Sequence, residues 1–135
     1  MAVPALAAGP SLVDGVSGVP IDWADWVGKR GPAAVLMWAS WAPRAESVID
    51  SHDEIADACR EAGLELIVLD VQESIEDGKA ALGPRGVPWF HDRHGALLKQ
   101  YRVIRVPSLV VVSAEGEPLV RMDPTAAAVR SWRGR

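Results

Sequence analysis

The 135-residue chain holds one cysteine, Cys59, and three histidines, His52, His91 and His94. A single thiol cannot close a disulfide within the chain, cannot act as a dithiol pair and cannot build a metal site from several thiolates. His91, Asp92 and His94 fall close together, but with no further ligands in reach this spacing reads as a polar turn or loop rather than a metal site. There is no glycine-rich phosphate loop, no G-x-S-x-G elbow and no pair of carboxylates whose mutual placement the sequence fixes. The enzyme classes that depend on those devices therefore find no carriers here, and neither a cofactor nor a metal is expected.

The elements that would position any functional residue are easier to read. Ala33 to Ala39 is a short, wholly apolar run, which suits a strand buried on both faces in the middle of a sheet. Ser40 to Arg44 breaks it. From Ala45 the apolar positions Val48, Ile49, Ile55, Cys59 and Ala62 follow helical spacing until Gly63, which predicts one long helix. Leu64 to Val71 is a second buried strand, and two such strands joined by a helix form a right-handed parallel crossover.

Upstream, Asp22 caps a helical turn that Gly28 is expected to end, and Lys29 to Pro32 reads as a turn. Downstream, Ser74 to Leu82 has weaker helical character, Gly83 to Gly86 stops it, and Val87 to Phe90 is a short strand candidate. Ala96 to Tyr101 looks helical. Ser108 to Ser113 and Pro118 to Met122 form an antiparallel hairpin across Ala114 to Glu117. Asp123-Pro124, cap and first-turn proline, opens a terminal helix from Thr125 to Trp132. The predicted class is α/β, with a central mixed β-sheet flanked by helices.

Size allows one domain by the prior of roughly 100 to 200 residues each. Residues 1–18, rich in Ala, Gly, Pro and Ser, read as an extended leader, and 19–135 as the domain. A net charge of -4 argues against a broad basic surface for nucleic acid or anionic lipid. The tail arginines Arg130, Arg133 and Arg135 read as solvated charge. No apolar run reaches the ~18 residues that cross a bilayer, and the first nine residues lack the features of a secretory signal. The expected location is intracellular, either cytoplasmic or within an organelle or flagellar assembly. Of six tryptophans, Trp38 belongs to the core, while Trp23 and Trp26, three apart, share one side of a helical turn.

Three segments carry a resemblance. Trp38-Ala39-Ser40-Trp41-Ala42-Pro43-Arg44-Ala45 resembles the WASWCPxC strand-to-helix motif of the thioredoxin superfamily. Val103-Ile104-Arg105-Val106-Pro107-Ser108 resembles its V-x-G-[IV]-P-[ST] loop, and Ser113 to Glu117 its final hairpin. With Pro88-Trp89-Phe90 and Asp92-Arg93 before the proline loop, the order is similar to the branch of tryparedoxins, nucleoredoxins and TlpA/ResA-type proteins. The resemblance covers about residues 19–132 and implies a thioredoxin-like fold with a cis bond before Pro107.

By that resemblance, Ala42 stands at the position of the nucleophilic cysteine and Ala45 at that of the resolving cysteine. Methyl groups can neither form a mixed disulfide nor release one. Cys59, about 21 Å farther along the reasoned helix, does not replace them and reads as a small core residue. Arg105 where the family commonly has Gly, and Glu46 where a basic residue is frequent, favour natural loss over engineered Cys→Ala replacement, but both explanations stay open.

The resemblance further implies that Trp41, Pro43, Arg44, Val106 and Pro107 form a small face for a peptide or protein. A competing explanation keeps Trp41 and Pro107 for packing alone. The functional expectation is a redox-inactive, non-enzymatic protein-binding or structural subunit of a larger assembly. The alternatives are a thiol-disulfide oxidoreductase with both cysteines engineered to alanine, and a chaperone-like holder of unfolded chains. Glutathione-transferase chemistry would need a further helical domain.

Overall fold

A computed structural model describes residues 12–132. Seven strands form one sheet: β1 Leu12–Asp14, β2 Pro20–Ile21, β3 Ala33–Trp38, β4 Glu65–Val71, β5 Trp89–Asp92, β6 Ser108–Val112 and β7 Pro118–Met122. Their order is β2-β1-β5-β4-β3-β6-β7. Strands β3, β4 and β5 run parallel, and β6 and β1 lie antiparallel to the outer members of that trio. All six residues of β3 are buried, as its unbroken apolar run requires for a strand covered on both faces.

Among the described residues six α-helices pack on the sheet: α1 Trp23–Arg30, α2 Ala45–Asp50, α3 His52–Glu61, α4 Ile75–Leu82, α5 Ala96–Gln100 and α6 Ala126–Trp132. Register partners share a sheet face, so Trp38, Asp70 and His91 form one row across β3, β4 and β5. That face is covered by α4, whose Gly78 lies against Asp70. On the opposite face Phe90 packs edge-on to Trp26 of α1, which itself stacks on Trp23.

Several sequence expectations are corrected. The long helix after Ala45 is two helices, because Ser51 leaves helical geometry and its hydroxyl donates to the Ser47 carbonyl, a local bond that competes with the helix ladder. Asp22 does cap α1, accepting from the Asp25 amide, but the helix runs through Gly28 to Arg30. Thr125, not Asp123, caps the last helix, its hydroxyl accepting from the Ala128 amide. The sequence placed the domain boundary after residue 18, yet Leu12 to Asp14 pair with β5 and Leu12 is buried. Residues 1–11 of that leader, and Arg133 and Arg135 of the tail, lie outside the described residues. Arg130 is paired with Glu61 of α3.

His91 and Asp92 are also not in a turn. They end β5, buried, because each has an internal partner: His91 faces Asp70, and the Asp92 carboxylate accepts from the Ala96 and Leu97 amides that open α5. No helix among the described residues is long and apolar enough to cross a membrane.

Candidate functional site

The parallel trio ends on one side of the sheet, and that edge gathers the segments following β3, β4 and β5, the side where α/β sheets offer ligand sites. Residues 39–44 leave β3 there. The turn is tight: the Ala42 amide donates to the Ala39 carbonyl and the Ala45 amide to the Ala42 carbonyl, each at 3.1 Å. Arg44 takes the left-handed conformation at φ 64°, unusual for a side chain with a Cβ, and α2 starts directly after it.

The two alanines sit beneath this turn, Ala42 7% and Ala45 5% exposed. Trp41 between them and the strand is 57% exposed. Pro43 and Arg44 are exposed as well. The Val106–Pro107 peptide is cis, and Ser108 is registered opposite Met37, which brings Val106 and Pro107 alongside the segment that follows Trp38. Val106 and Pro107 are buried and so add little accessible apolar surface. In the same loop Ile104, which the sequence reading did not select, is 99% exposed. An aliphatic residue placed two before Val106 in a loop was the available signal.

Trp41 is exposed but not free. Its indole N–H donates to the Gln72 carbonyl at 3.0 Å, and Gln72 is itself left-handed at φ 59°. The Ser40 amide donates to Glu73 at 3.0 Å, and the Ser40 hydroxyl donates to the same carboxylate. Two successive loop residues are thus tied to two successive residues of the turn after β4.

Behind that turn lies Asp70, fully buried, with Oδ2 3.0 Å from Nδ1 of His91. Its Oδ1 has no hydrogen-bond partner. Burial, followed by the neighbouring Glu73 and Asp77 carboxylates, pushes the Asp70 carboxyl up to about 10, while burial lowers His91 from its ordinary value. Asp70, the one carboxylate in the apolar stretch 66–71, could have flagged this pair from sequence.

Cys59 is buried in α3 and burial pushes its thiol up to about 11, the opposite of what a reactive thiolate needs. His52 is buried beside Asp53, and His94 is exposed. Among the described residues no group of three or more His, Cys, Asp or Glu side chains is placed to hold a metal ion.

This architecture is the thioredoxin-like fold, and solved structures of that fold resemble the chain over most of its length. The N-terminal domain of PilB from Neisseria gonorrhoeae shares 16% identity at a TM-score of 0.66, covering 90% of this chain and 83% of that one. A secreted Mycobacterium tuberculosis disulfide oxidoreductase homologous to E. coli DsbE shares 17% at 0.63, covering 91% of both. StoA from Bacillus subtilis shares 17% at 0.66, covering 91% and 96%. By sequence, no protein-family model and no curated protein matches. Identities this low carry the fold and not the activity.

Proposed function

We propose that this is a redox-silent thioredoxin-like protein that holds a protein partner on the face around Trp41 and Ile104, as a subunit of a larger assembly. One observation carries the reading. Both positions that the motif resemblance assigns to sulfur are alanine and buried, while Trp41 next to Ala42 and Ile104 in the loop before Pro107 are large apolar groups left exposed. A dithiol mechanism needs two sulfurs within bonding distance, and the one cysteine present is enclosed in α3. Exposed aromatic and aliphatic side chains set in a structured loop are the usual anchors of protein contacts. The order of the Trp41 motif, Pro88-Trp89-Phe90 and the Pro107 loop favours kinship with the tryparedoxin-like branch.

The test is a photo-crosslinking residue at position 41 in the native source. Capture of a stoichiometric protein, lost when Ile104→Asp is added, supports the reading. A strictly monomeric protein that crosslinks nothing overturns it.

The fold neighbours favour a second reading, since two are named as disulfide oxidoreductases and another as a thiol:disulfide interchange protein. It makes this chain a thiol-disulfide oxidoreductase with both cysteines replaced by alanine. Cysteine codons at positions 42 and 45 of the native gene would establish it, and alanine codons would exclude it.

A further inference from the structure

The loop bearing Trp41 is held in place by residues 72 and 73, and those residues stand directly after the buried Asp70. Glu73 is the hinge of this arrangement. It takes both hydrogen bonds from Ser40 on one side, and on the other its charge acts on Asp70 and His91. We propose that the Asp70–His91 pair is a proton sensor for the Trp41 face: a second proton taken up by the pair draws the Glu73 carboxylate away from Ser40 and loosens the loop.

The geometry supplies the coupling. Asp70 and His91 are register partners on adjacent strands, enclosed by Trp89 and by Gly78, where even a Cβ would fall 2.3 Å from Asp70 Oδ2. With one proton between them the pair is neutral as a whole. One further proton, from solvent, gives it a positive charge with no internal counter-ion on Asp70 Oδ1, which is unpartnered.

Of the charged groups around it, Asp92 is occupied by the α5 amides and Asp14 of β1 by the Val16 and Ser17 amides. Arg93, in the turn directly after β5, opposes the added charge. Glu76 and Asp77 project from α4 near the pair, but neither is bonded to the loop. Glu73 alone both feels the pair and holds Ser40. Gln72, left-handed and next to Glu73 in the chain, accepts from the Trp41 indole, so a displacement of Glu73 passes along this turn to Trp41. The burial that lowers His91 sets the response on the acid side of neutrality.

The consequence for a partner rests on the reading of the Trp41 face given above, but the test needs no partner. In a 15N-labelled protein titrated from neutral to mildly acid pH, the Trp41 indole and Ser40 amide signals should shift together with the His91 ring. Their common midpoint should lie below the ordinary imidazole value of ~6.5. Glu73→Gln, at a half-buried position, should leave His91 titrating while Ser40 no longer follows; His91→Gln, which removes the titrating ring, should flatten the Ser40 and Trp41 signals. Signals of Ser40 and Trp41 that stay fixed while wild-type His91 titrates would overturn the proposal. So would Ser40 still tracking His91 in Glu73→Gln. If the coupling holds but crosslinking at residue 41 captures nothing, the partner reading fails and the sensor stands.

Discussion

The indole N–H of Trp38 donates to the backbone oxygen of Ala45, 2.9 Å away in the buried interior. The last residue of β3 is thereby fastened to the first residue of α2 across the loop that carries Trp41. Trp38→Phe removes that donor and leaves unfilled volume, for a cost of about 2–4 kcal/mol. Urea unfolding should show a lower midpoint with an unchanged slope. Trp132→Phe, at a half-buried position with no such bond, should cost less than about 1 kcal/mol by the same measurement.

Two helical glycines should respond in opposite directions to the same substitution. Gly28 lies inside α1 with nothing within 4 Å of an added Cβ, so Gly28→Ala should stabilise by roughly 0.5–1 kcal/mol through helix propensity. Gly78 in α4 has Asp70 Oδ2 at 2.3 Å and Trp89 at 3.0 Å from the same point. Gly78→Ala should therefore destabilise by about 1–3 kcal/mol despite its propensity gain. Thermal melts of both variants distinguish close packing from conformational freedom, and a stabilised Gly78→Ala would show that the pocket around Asp70 yields.

The Asp70–His91 pair should also shape stability against pH. Asp70 is raised in the fold from 3.8 to about 10, so its contribution is complete below 3.8 and is lost as pH rises toward 10. His91 is lowered from 6.5, so its contribution is present above 6.5 and is lost as pH falls through its folded value. Between 3.8 and 6.5 the two oppose each other. Above 6.5 Asp70 acts alone, and stability should fall with rising pH by up to about 1.4 kcal/mol per unit. Urea melts at pH 6.5, 7.5 and 8.5 read this directly. Asp70→Asn should remove the slope, and a wild-type stability that rises over the interval would contradict the assignment.

What the sequence disclosed follows from how local each signal is. Residues 33–38 and 65–71 were legible as buried strands because their apolar runs need no partner to be recognised. The strand at Leu12–Asp14 was not, being three residues long and defined only by pairing with β5. His91 and Asp92 looked like loop residues because their polarity is satisfied by groups distant from the dipeptide or by the next helix. The helix break at Ser51 depends on one hydroxyl choosing the Ser47 carbonyl, which no periodicity reveals. At the site, the Trp41 loop and the Pro107 loop were visible as motifs. The ties from Ser40 to Glu73 and from Trp41 to Gln72 join segments that are far apart in the chain.

Thiol counting separates the buried cysteine from the two alanine positions. Cys59 is enclosed and its thiol is pushed up to about 11, so the native protein should give no reaction with an aromatic disulfide reagent near neutral pH and one equivalent in urea. Ala42→Cys together with Ala45→Cys places two sulfurs at either end of one tight turn, where the Ala45 amide already donates to the Ala42 carbonyl. That variant should lose two reactive thiols on mild oxidation and recover them with a dithiol reductant, while Cys59 stays silent. Disulfide reduction should be absent in the wild type and appear in the double variant. Activity in the unmodified chain would mean that sulfur chemistry reaches Cys59 by an opening of α3, and the redox-silent reading would then be wrong.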